Sequence, residues 1–199
     1  MPVVARGGRF VYAQIIGDVV EFLGLAAQTG PQLSPDELAR RLDSILAAAQ
    51  RYARQMPADA LERQLPERPR SYRVLLHHVF QIPAAFIDAM EGGALTYENM
   101  TAEPPADMRT PAAIAEFGAT VRRRVAAWWT GLADRSGRQP VSTYYGVQPM
   151  HEVLERTAWH SAQHARQVMS LLEQQGIAPE GPLGPAELHG LPVPEKLWD

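Results

Sequence analysis

The sequence predicts a mainly α protein: a four-helix up-down bundle with a short N-terminal β-hairpin and helix and an irregular C-terminal tail. Three observations predict it. Apolar residues recur at alternating steps of three and four along four long stretches, the pattern of helices that bury one face against each other. Each stretch is bounded by capping residues, glycine or proline. Beyond the first dozen residues no segment reads as a strand. Residues 1–30 are read as an appendage with its linker, 31–178 as the bundle, and 179–199 as a tail packed on it.

At the N-terminus, Pro2–Ala5 and Arg9–Tyr12 flank a Gly7-Gly8 turn and predict a hairpin, with Ile15–Leu23 as a short helix. Thr29-Gly30-Pro31 marks the linker. Helix one opens at Ser34-Pro35-Asp36-Glu37, a cap followed by proline and a reciprocal acidic residue, and buries Leu38, Leu42, Ile45, Ala49, Tyr52 and Met56. Ser71 caps helix two, whose stripe is Tyr72, Leu75, Val79, Ile82, Phe86 and Met90, ended by Gly92-Gly93. Pro83 frees the carbonyl of Val79 and should bend this helix. A proline-bearing loop over residues 99–107 crosses to helix three, which starts at Thr110-Pro111 and carries Ile114, Phe117, Val121, Val125 and Trp128. Thr143-Tyr144-Tyr145-Gly146 leads into helix four, which ends at Gly176. In the tail, Leu188, Leu191, Leu197 and Trp198 are the candidate anchors.

Composition narrows the function. A net charge of -3 over 199 residues argues against a protein held to nucleic acid by phosphate contacts, and Arg122-Arg123-Arg124 fits the solvated face of a helix. Cysteine is absent, so there is no disulfide, thiolate ligand or cysteine nucleophile. No apolar run approaches the roughly 18 residues of a membrane span, and the first residues lack the order of a signal peptide. A cytoplasmic protein without membrane or nucleic-acid partners is the expectation.

The chemistry points to histidine. His160 and His164 are four residues apart on helix four, one turn above each other on one face. His164 falls within the inward stripe of Met150, Leu154, Thr157, Ser161, Val168 and Leu171, and His160 borders it. Two imidazoles are half of a transition-metal site, because zinc-like ions take at least three protein ligands. Helix two offers His77 and His78. His78 shares the face of Val74, Leu75, Ile82 and Ala85, whereas His77 lies with Gln81, Ala84 and Asp88, so helical phase favours His78. His151 is out of phase with His160, and His189 lies in the tail. The other reading of these residues is a set of buried histidines hydrogen-bonded to their neighbours.

A bundle with His78 after Leu75-Leu76 and before Val79-Phe80, and with His160-xxx-His164 and Gln167 in the last helix, resembles the DinB-like superfamily over residues 34–176. The resemblance implies that His78, His160 and His164 hold zinc or nickel. Several members of that superfamily are transferases or isomerases that use an external low-molecular-weight thiol on a small-molecule substrate. Many have no known activity, so a non-catalytic metal-binding or structural bundle is the alternative. One departure is visible: the common His-Arg-Gly-Gln is here His164-Ala165-Arg166-Gln167, which keeps the glutamine and shifts the arginine. The first 25 residues resemble the C-terminal end of a glutaredoxin-like fold, without its CxxC. The loops at residues 98–105 and 143–146 are expected to touch substrate. The open edges of the N-terminal hairpin predict a homodimer built by pairing with a second copy.

Overall fold

The three-and-four pattern folds as four long helices in the computed structural model, which describes residues 3–27, 29–65 and 69–198. They are α2 (Pro35–Gln55), α3 (Tyr72–Met90), α5 (Pro111–Gly131) and α6 (Met150–Gln174), with α1 (Ile16–Leu23) preceding them and one-turn helices α4 (Tyr97–Met100) and α7 (Pro185–Leu188) between and after them. The expected caps form. Side chains of Ser34, Ser71 and Thr110 accept from the backbone N–H of Glu37, Val74 and Ala113 at 3.2, 3.3 and 3.1 Å. A cap of this kind contributes about 1 kcal/mol.

Residues 1–32 and residues 33–199 form two separate units. In the first, β1 (Val3–Arg6) and β2 (Arg9–Tyr12) pair antiparallel, with Val4 opposite Val11, and α1 follows. Gly7 takes a positive φ of 63° in the turn, a conformation glycine adopts without penalty. Val3, Phe10 and Tyr12 are half exposed or more, at 52, 60 and 50 %.

In the second unit α2 packs against α5 and α6, and α3 packs against the same two, while α2 and α3 themselves touch little. The consecutive helices α2 and α3 therefore lie across the bundle from each other, and α3 lies directly beside both α5 and α6. The stripe residues of α2 are buried to the last, from Leu38 to Met56. Gly118 of α5 lies under Phe80 of α3, where an added Cβ would stand 2.6 Å from the ring. A helix-interior glycine is unfavourable by itself, and here it admits an aromatic wedge beside the histidine pair. The arginine triplet is ion-paired: Arg122 with Asp43, Arg123 with Glu116, and Arg124 with Asp88 and Glu91. No helix among the described residues is long and apolar enough to cross a membrane.

One expectation is overturned. The segment before α6 is a second hairpin, β3 (Pro140–Thr143) and β4 (Gly146–Pro149), with Val141 opposite Gln148. Its strands are four residues long, each has a proline at its outer end, and Val141 alone is buried, so no alternation is visible in the sequence. Leu95 pairs with this hairpin, donating to Ser142 O at 2.9 Å and accepting from Tyr144 N at 2.8 Å. The tail is irregular apart from α7. Leu183 and Leu191 are buried, and Leu188 and Trp198 pack on the core. Its first half is gripped by α2, where Arg51 donates to the carbonyls of Glu180 and Gly181.

Candidate metal centre

The pairing of α3 with α6 brings three histidines together. Ligand atoms of His78, His160 and His164 all lie within 4.8 Å of one another. Ring centroids are 5.7 Å apart for His78 and His160, and 4.9 Å for both His78 with His164 and His160 with His164. His78 and His164 are 7 and 8 % exposed, and His160, stacked on Trp159, is half-buried.

A cross-helix bond fixes the distance between the two elements at this level. Pro83 has no N–H to offer the carbonyl of Val79, one turn earlier. That carbonyl instead accepts from the hydroxyl of Ser161 on α6 at 3.1 Å. A buried polar atom that α3 leaves unsatisfied is thus satisfied by the residue next to His160, and two faults in an apolar seam cancel. The signal was present in the sequence as a proline inside helix two and a serine in the stripe of helix four.

The rings of His78 and His160 sit where a neutral imidazole is favoured. Burial, followed by the proximity of His164 and His160, lowers the His78 pKa from its ordinary value to about 2. Burial and then His164 hold His160 well below the ordinary range. His164 Nδ1 is 2.7 Å from Gln167 Oε1. An amide oxygen only accepts, so Nδ1 carries the proton and Nε2 keeps its lone pair. Nδ1 of His160 is buried without a hydrogen-bond partner among the described residues.

The donor set fits a borderline divalent ion: three imidazole nitrogens, one ring with an unsatisfied buried atom and one with its tautomer set by a partner. The remaining histidines lie elsewhere. His77 stacks on Phe117 of α5 at 4.9 Å, on the flank of α3 that faces α5, and burial followed by Arg73 lowers its pKa to about 4. His151 Nε2 bonds the carbonyl of Leu33 at 2.7 Å, and His189 is exposed at the end of α7. Asp88, on the His77 flank, pairs with Arg124 at 2.8 Å.

Both loops singled out in the sequence border the helices that carry the histidines. Gln81, three residues after His78, donates to Asn99 O at 2.8 Å. Arg156, one turn before His160, lies over the ring of Tyr145 at 4.9 Å. Tyr97 and Tyr144 meet edge to face at 5.9 Å, so α4 and the β3–β4 turn form one aromatic wall. Of these tyrosines, Tyr144 and Tyr145 fall in the loop singled out from the sequence, and Tyr97 lies one residue before the other loop and belongs to no periodic stripe.

No curated protein matches the chain. The family model described as the DinB family matches residues 34–190. That span covers all four long helices and the three histidines, and the chain belongs to the DinB family.

Proposed function

We propose that this DinB-family bundle holds one divalent metal ion, zinc or nickel, on His78, His160 and His164, and uses it in a transferase or isomerase reaction with an external low-molecular-weight thiol. The observation that carries the reading is the convergence of three imidazoles from two helices, two of them buried and one half-buried, with ligand atoms within 4.8 Å of one another. Three protein ligands leave a coordination position open, as a catalytic rather than a closed structural site does. A bound divalent cation lowers the pKa of a coordinated thiol or water.

The chain's own residues supply position. Ser161 and Val79 hold α3 to α6, Gln167 sets the tautomer of His164, and the burial around His78 and His160 keeps their rings unprotonated. The chain has no cysteine, so a thiolate nucleophile must arrive with a small molecule. We assign substrate contact to the wall of Tyr97, Tyr144 and Tyr145, whose faces suit an apolar or unsaturated acceptor.

The reading includes a homodimer. Support comes from Val3, Phe10 and Tyr12, exposed on a two-stranded sheet whose outer edges invite another strand, and from Ile16, exposed at the start of α1.

The function is tested by loading the purified protein with zinc or nickel and following consumption of a panel of low-molecular-weight thiols in the presence of electrophilic acceptors. Metal-dependent turnover that disappears in His160→Ala is expected. Rates equal to the uncatalysed background for every thiol would overturn the catalytic part of the proposal.

A further inference from the structure

The second half of the C-terminal tail is gripped by one face of α6, and the grip reaches the histidine cluster. Gln163, Arg166 and Gln167 are spaced at three and four residues and so project from one side of the helix, with His164 among them. Gln163 Nε2 donates to the carbonyls of Lys196 and Leu197 at 3.1 and 2.9 Å. Arg166 Nη1 donates to Pro194 O at 2.7 Å and to Gln163 Oε1 at 2.8 Å. Gln167 Nε2 donates to Leu197 O at 2.8 Å, and the other end of the same amide bonds His164 Nδ1 at 2.7 Å.

We propose that the strap over residues 194–198 is a positioning element for the metal centre: the carbonyl of Leu197 selects the tautomer of His164 through the amide of Gln167. A glutamine amide can turn over. With its NH2 toward His164 it would donate to Nδ1, and the ring proton would move to Nε2, leaving no lone pair there for a metal. The Leu197 carbonyl can only accept, so it holds the NH2 end and turns Oε1 toward the ring. Nδ1 then keeps the proton and Nε2 carries the lone pair that a metal would take. Lys196 and Leu197 act here through their backbone carbonyls, and Gln163 and Arg166 hold those carbonyls in place. The arginine that departs from the common His-Arg-Gly-Gln order thus has its own work, fixing the strap.

The consequence for metal rests on the three-histidine reading, but the tautomer does not, which separates the two tests. In the metal-free full-length protein, long-range nitrogen–proton NMR of the His164 ring should report Nδ1–H. The double variant Gln163→Ala/Arg166→Ala, which releases the strap without touching Gln167, should show a tautomer mixture and bind zinc about tenfold more weakly in competition with a chelator. Gln167→Glu supplies an acceptor that cannot turn over, so releasing the strap in that background should cost nothing further. Arg166→Ala alone is the milder variant should the double variant not fold, and it should shift both readouts in the same direction. A wild-type ring protonated at Nε2 would overturn the proposal. So would a released strap with unchanged tautomer and affinity, or an equal loss of affinity with and without Gln167→Glu. Absence of zinc binding in the wild type would end the three-histidine reading while the tautomer still decides this one.

Discussion

His77 and His78 are adjacent and chemically identical, and only the helix that carries them separates their environments. A step of about 100° along α3 turns one ring onto Phe117 of α5 and the other toward His160 and His164 of α6. Both are buried as neutral bases, and burial is the first cause of each lowered pKa. The sign of the pH dependence follows. Between the ordinary value of 6.5 and the folded value of about 4, the unfolded chain binds a proton at His77 that the folded chain does not. Stability is therefore full above about pH 6.5 and falls as the pH drops, by up to ~1.4 kcal/mol per pH unit from this residue. His77→Phe keeps an aromatic ring against Phe117 and removes the proton. Urea denaturation of the metal-free protein at pH 7 and pH 5 should show a shallower acid loss for this variant than for the wild type. Equal losses would mean that His77 is protonated in the folded state.

At the scale of the element, the centre depends on how α3 and α6 are joined. The Ser161 hydroxyl on the Val79 carbonyl is needed because Pro83 lacks an N–H. Ser161→Ala should destabilise the protein by about 1–3 kcal/mol, the cost of a buried acceptor left without a donor. Pro83→Ala restores an N–H within α3, so Ser161→Ala in that background should cost clearly less. A denaturant double-mutant cycle reads the difference, and additive effects would show that the two residues do not share one carbonyl. Most of this seam was legible in the sequence. The stripes of α2 and α6 are buried along their length, from Leu38 to Met56 and from Met150 to Leu171, because a three-and-four repeat admits one inward face. The β3–β4 hairpin was not legible. Its single buried residue, Val141, and its terminal prolines erase the alternation by which a strand is recognised.

The whole molecule divides at residue 33, and its two parts differ in how much function their sequences reveal. In the bundle, the phase of His78, His160 and His164 could be read because helices convert spacing into direction. The strap could not, because Lys196 and Leu197 act through backbone carbonyls, which no side-chain pattern records. In the N-terminal unit the hairpin was legible from Gly7-Gly8 and the flanking apolar residues, whereas its proposed pairing with a second copy has no local sequence pattern behind it. A chain beginning at Leu33 should be monomeric by light scattering and the full chain dimeric. An unchanged dimer in the shortened chain would remove the hairpin from the interface, and a monomeric full chain would remove the dimer.

The central claim is that three histidines from α3 and α6 hold one metal ion. It is tested most directly by elemental analysis of protein purified without an affinity tag, then incubated with zinc or nickel and freed of excess ion. The wild type and His77→Ala should each retain about one ion per chain, and His78→Ala should retain none, as expected when a three-ligand site loses one ligand. Retention that is the same in His78→Ala as in the wild type, or no retention by the wild type, would contradict it.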